Sequence, residues 1–120
     1  MLNAIHILGQ VIFGGYFIWQ GILHFMNHRD YTDYAMMNKV PMPGVAVHVT
    51  GILLILGGLG VFFNMYTTIA LILLIIFLIP VTVIMHSFWK SDNPGEKAAQ
   101  KVAFLKNMAL LGATLLLFQF

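Results

Sequence analysis

The stretch GILLILGGLGVFFNMYTTIALILLIIFLIPVTVIMH, residues 51–86, decides the fold. It contains no Asp, Glu, Lys or Arg, and its apolar run is broken only at Asn64-Met65-Tyr66. Crossing the hydrocarbon core of a bilayer takes roughly 20 consecutive apolar residues, and two such segments, 45–63 and 66–86, lie here end to end. The junction at Asn64-Met65-Tyr66 leaves room only for a tight helical hairpin. Neither segment reads as a strand, because an open sheet in lipid leaves backbone groups unpaired and the alternation of a barrel strand is missing.

Two further segments of spanning length, 5–25 and 102–118, flank this hairpin, with polar connectors at 26–44 and 87–101. The expected architecture is all-α: one polytopic membrane domain over 1–120, folded as a compact bundle of four transmembrane helices. Composition agrees, since 60% of the residues are apolar, 8% are charged and the mean hydropathy is +0.90, whereas about a quarter of a soluble domain is charged. A scattered net charge of +2 gives no footprint for nucleic acid. The absence of cysteine excludes disulfides, thiolate metal sites, iron–sulfur ligation and an intrinsic thiol redox pair. Any redox chemistry therefore belongs to a bound cofactor, and any large soluble activity to a partner. No basic leader or small-residue cleavage site precedes the first span, which is read as a retained helix.

Charge sets the expected orientation. Arg29 and Lys39 occupy the first connector, Lys90, Lys97 and Lys101 the third, and Lys106 begins the fourth span, while the hairpin at 64–66 has none. Cationic loops favour the cytoplasm, so both longer connectors are placed there and both termini outside. In the first connector Pro41 and Pro43 forbid a regular helix, and the residues before them suit a short interfacial helix with Tyr31 and Tyr34 at headgroup level. In the third, Asn93-Pro94-Gly95 reads as a turn.

This topology collects polar groups at one depth. His24 and His86 close the first and third spans, and His48 and the Lys106-Asn107 pair open the second and fourth. Residues four apart share a helical face, which draws Gln20, His24 and His28 into one stripe and Thr82, His86 and Lys90 into another. Ionisable groups inside a bilayer are costly and mark functional sites by default. The candidate ligand-binding set is His24, His86, Lys106, Asn107, Gln20 and Thr82, with His28 and His48 as an additional polar site and no residue assigned to catalysis. His6 belongs to the outer interface. No metal site is read: Met26, Met36, Met37 and Met42 cluster near the first connector, but their spacing is irregular and methionine is common apolar filler. His24 and His86, at matching depth, leave bis-histidine haem ligation as a minor reading. Gly14, Gly15 and Gly21, with Gly51, Gly57, Gly58 and Gly60, read as small-residue packing faces, which also suit a homodimer.

Four segments in order, FIWQGILHFMNHRDYTDYA, KVPMPGVAVHVTGILLILGGLGV, IPVTVIMHSFW and FLKNMALLGATLLL, resemble the successive signatures of the DoxX-like (DoxX/DoxD) family of small membrane proteins. Phe17, Gly21, His24, Phe25, Tyr31 and Tyr34-Ala35 carry the first match, and the series covers almost the whole chain. The resemblance implies a four-helix bundle in a prokaryotic plasma membrane. It also implies association with quinone-linked oxidation of sulfur compounds or with responses to oxidants and thiol stress, and it places His24, Thr82, His86, Lys106 and Asn107 at the matching polar positions. In one place the chain departs from the pattern: GILLILGG puts Leu54 where many members carry a glutamate between the glycines. The site is then expected to hold donors and cations without a buried acid. Two functional readings follow. The first is a non-autonomous membrane subunit that binds a quinone-type or other lipophilic redox molecule, with an oxidoreductase partner supplying electrons. In it, His24 and His86 donate to a carbonyl oxygen and Lys106 stabilises its negative charge. The second is a noncatalytic scaffold or assembly factor.

Overall fold

A computed structural model describes residues 4–86, 88–90 and 92–118. Those residues form five α-helices, α1 (Ala4–Met26), α2 (His28–Met37), α3 (Pro43–Phe62), α4 (Thr67–Met85) and α5 (Pro94–Leu116), with a single 3₁₀ turn at Phe88–Lys90 and no strand among them. The protein is all-α. Three helices, α1, α3 and α4, are long and apolar enough to cross a membrane. α5 is as long as α1 but carries Glu96, Lys97, Lys101 and Lys106, so its apolar part is confined to its second half. The molecule is 50 Å along its longest axis, ample for a hydrocarbon core of about 30 Å.

The helix boundaries follow local chemistry. Pro43 and Pro94 each occupy the first turn of a helix, where a missing N–H costs nothing. The expected turn at Asn93-Pro94-Gly95 is therefore the start of α5, eight residues before the expected 102: Asn93 Oδ1 caps the helix by accepting from the Glu96 N–H at 3.1 Å. A short helix stands where one was expected in the first connector: α2 runs from His28, after a break at Asn27. Between α3 and α4 the hairpin is tight, with Asn64 and Tyr66 both at positive φ.

α1 lies antiparallel along α3, α3 pairs with α4, and α4 with α5. The α1–α3 seam is built from glycine. A Cβ on Gly14 would lie 2.7 Å from the Gly58 carbonyl, and one on Gly21 would lie 2.8 Å from the Gly51 carbonyl. The seven-residue steps from Gly14 to Gly21 and from Gly51 to Gly58 keep both pairs in register along two helices. Gly57 and Gly60 serve α4 in the same way, against Leu74 and Ala70. Gly14, Gly21, Gly51, Gly57, Gly58 and Gly60 are thus consumed in packing within the chain. Gly15 and Gly112 have open space around them.

The fully buried side chains, among them Phe17, Leu54, Leu71, Leu74 and Leu78, form one cluster between α1, α3 and α4, and Leu110 and Leu111 of α5 pack against it. Most other large apolar side chains point outward, as Ile12, Ile52 and Ile76 do, each about half or more exposed. Such a surface requires lipid around it.

The seam yields a paired prediction. Gly58→Ala forces a methyl against the Gly14 carbonyl and the Ile18 N–H and should destabilise the bundle by about 1–3 kcal/mol, the usual cost of overpacking. Gly112→Ala meets nothing and should be neutral or stabilising by up to ~1 kcal/mol. Thermal unfolding in detergent measures both, and equal midpoints for the two variants would contradict the assignment.

Candidate functional site

Below the core cluster, at the end of the bundle where α1 and α4 finish, the helices part around a cavity of about 610 Å³. α1 contributes Tyr16, Gln20 and His24 to its wall, and α5 contributes Lys106 and Asn107. α4 presents Phe77 and Pro80, and His86 follows directly on its end. Leu54 of α3 lines the cavity from the third side and is completely buried. α2 closes the end with Asp30, Tyr31 and Tyr34. The break at Asn27 allows this, because it turns the chain back under the bundle instead of letting α1 run on into solvent.

His24, His86, Lys106, Asn107 and Gln20 are therefore brought to one cavity, from three different parts of the chain. Thr82 is not among its lining: it is 3% exposed, faces the packed core, and its Oγ1 has no hydrogen-bond partner. Thr50 and Thr114 avoid that by donating to carbonyls four residues back, at 2.8 and 2.7 Å. The two stripes drawn from spacing also stop at the helix ends. His28 belongs to α2, where its Nε2–H donates to the Gly44 carbonyl at 3.1 Å and its ring stacks on His48 with centroids 4.1 Å apart. That pair fastens α2 to α3 and lies outside the cavity. Lys90 is exposed in the 3₁₀ turn. No group of three or more His, Asp or Glu converges among the described residues.

Hydrogen bonding fixes the character of both cavity histidines. His24 is nine-tenths buried, with the edge of its ring against Tyr31 at 4.6 Å between centroids. Its Nδ1 lies 2.8 Å from the Gln20 carbonyl, and since a carbonyl only accepts, Nδ1 carries the proton. For His86 the polarity is set at a distance. The Tyr34 hydroxyl donates to the Met85 carbonyl at 2.9 Å, so its oxygen can only accept from Gln100 Nε2. That turns Gln100 Oε1 toward His86 Nδ1, 2.9 Å away, and His86 must donate there. Neutral imidazoles in this arrangement hold Nδ1–H and a bare Nε2.

Other polar groups in the cavity have no partner in the protein. Asn107 is 5% exposed, yet no hydrogen bond joins its amide to another described residue. The same holds for the Gln20 amide and for the phenols of Tyr16 and Tyr31. Lys106 Nζ lies 5.9 Å from the centre of the Tyr16 ring, a cation–π contact across the α1–α5 gap. Burial raises the Tyr31 phenol above its ordinary pKa, with the Tyr16 phenol adding to the effect, so Tyr31 remains an O–H donor well into the alkaline range. Four residues of this cavity, Tyr16, Asp30, Tyr31 and Tyr34, were absent from the expected site, as was Gln100, which stands behind His86. Gln100 had the clearest signal, since the Asn93-Pro94 cap places it on the second turn of α5. Asp30 also supplies an acid at the cavity wall, although position 54 is leucine.

Side-chain ¹⁵N spectra of histidine-labelled protein should show His24 and His86 protonated at Nδ1 and His28 at Nε2. Tyr34→Phe removes the hydroxyl that orients Gln100 and should convert His86 to a mixture of tautomers while leaving His24 unchanged. An unaltered His86 signal in that variant would contradict the proposed chain of bonds.

No curated protein and no solved structure matches this chain. Residues 6–87, more than half of it, match the family model DoxX, over three of the four segments whose resemblance was noted above, and the chain is a member of the DoxX family.

Proposed function

We propose that the cavity binds the ring of a quinone-type lipophilic molecule and that the protein serves as a membrane subunit of a quinone-linked oxidoreductase or oxidative-stress system, with a partner exchanging the electrons. The observation that carries this reading is Asn107: a residue 5% exposed on the cavity wall, whose amide makes no hydrogen bond to another described residue. That amide opens onto the cavity, so a polar ligand in this space finds both a donor and an acceptor to pair with. Lys106, Gln20 and Tyr16 stand around the same space and offer fixed donors to a ring oxygen, whose negative charge Lys106 stabilises in a site of low dielectric. The remaining wall is apolar, formed by Phe17, Phe77, Leu54 and Leu110 among others, which suits a flat ring and the start of a tail. Haem ligation would use His24 and His86 but give no role to Lys106, Asn107 and Gln20.

With the cationic connectors in the cytoplasm of a prokaryote, this cavity opens toward the inner leaflet and both termini lie outside. A partner on that side would meet α2 and the 3₁₀ turn. A pure scaffold reading leaves the cavity's unpartnered amides and phenols without purpose, and so ranks second.

Asn107→Leu, close in volume, should weaken binding of a short-chain alkyl benzoquinone/benzohydroquinone couple about tenfold, as loss of one buried hydrogen bond implies. Lys106→Met should act similarly, while Ile12→Ala, on the outward face of α1 and away from the cavity, should leave affinity unchanged. Titration in detergent or nanodiscs measures this. Affinity indifferent to Asn107 and Lys106 would defeat the reading in favour of the scaffold.

A further inference from the structure

Resting on the reading of the cavity as a quinone-type site, we infer that it is built for the reduced, dihydroxy form of its ligand in preference to the quinone. The argument is one of hydrogen-bond polarity. A quinone ring carries two carbonyl oxygens, which only accept; a hydroquinone carries two hydroxyls, each of which donates once and also accepts. The two histidines were expected to donate to a carbonyl. Their geometry does not allow it in the neutral form, because both Nδ1–H groups are already spent, one on the Gln20 carbonyl and one on Gln100 Oε1.

Each ring therefore offers a lone pair. The Nδ1 of His24 turns back to its own helix, which leaves Nε2, on the other side of Cε1, as the free ring nitrogen of a residue that lines the cavity. His86 is held from α5 by Gln100 and likewise lines the cavity. A carbonyl oxygen placed against either nitrogen would set lone pair against lone pair. A ring hydroxyl would donate to it and still accept from Lys106, Asn107 or Gln20. Asp30 adds a third acceptor on the α2 wall. The polarity is not a free choice of the side chains, since a main-chain carbonyl anchors it in each case: Gln20 directly, and Met85 through Tyr34 and Gln100.

The test compares a short-chain alkyl benzohydroquinone, kept reduced under anaerobic conditions, with the matching benzoquinone. Wild-type protein should bind the hydroquinone at least about tenfold more tightly. His24→Leu/His86→Leu should bind the two forms within about threefold of each other. Gln100→Leu, which leaves the cavity wall intact and frees only the His86 tautomer, should lose part of the preference and retain binding. That variant keeps the question decidable if the double variant fails to fold. Equal binding of the two forms by wild type, tighter binding of the quinone, or a preference that survives in Gln100→Leu undiminished would overturn this inference and leave the quinone-type site standing. Failure of both forms to bind wild type would overturn the site itself, and the inference with it.

Discussion

Everything in this molecule depends on how closely α1 can lie on α3. Two glycine pairs, Gly14 with Gly58 and Gly21 with Gly51, let the main chains touch where any side chain would hold them apart. Between membrane helices there is little hydrophobic drive to associate, because lipid tails are as apolar as leucine, so close van der Waals contact has to do that work. Drawing α1 hard against α3 has a geometric consequence on the other side. α4 and α5, spaced by leucine and phenylalanine, cannot follow α1 as closely, and the volume left between α1, α4 and α5 becomes the cavity. His24 stands one turn below Gly21 on α1, and its Cβ is itself among the near neighbours of Gly51. The packing seam and the functional face are thus parts of one surface.

The second organising element is the Met85 carbonyl, the last of α4. Helix ends leave carbonyls without intrahelical partners, and in a membrane such groups must be met from elsewhere. Here the hydroxyl of Tyr34 meets it, and that single bond fixes the orientation of Gln100 and then of His86. Three segments distant in sequence, α2, the end of α4 and the second turn of α5, are joined by it at the cavity's closed end. A requirement of backbone satisfaction has been turned into control of which nitrogen a histidine presents.

The transmembrane fold was legible because hydrophobic length is a strong signal and because glycines at heptad spacing have few uses other than packing. The convergence of His24, His86, Lys106, Asn107 and Gln20 was legible for a simpler reason: in a membrane, distance from the end of a span fixes depth, and depth alone brings these residues to one level. Rotation about the helix axis was not. α4 is apolar on every side, so nothing in its sequence says whether Thr82 faces the cavity or the core, and it faces the core. The stripe rule misplaced His28 and Lys90 because it assumes a helix that continues, whereas α1 stops at Met26 and α4 at Met85. Asp30, Tyr31 and Tyr34 were readable as interfacial, yet their arrival at the cavity depends on the angle at which α2 folds back, which is set by the His28 contacts to Gly44 and His48. Residue spacing carries no trace of such an angle.

The central claim is that the unpaired polar groups on the cavity wall exist to hold a lipophilic ring. Purification of the protein in mild detergent, followed by mass spectrometry of the small molecules retained, tests it most directly, with Asn107→Leu purified in parallel. The account predicts a ring-hydroxylated or quinone-type lipid that accompanies the wild-type protein and is depleted from the variant. Retention of phospholipid alone, in equal amounts by both, would contradict it and leave the bundle as a scaffold.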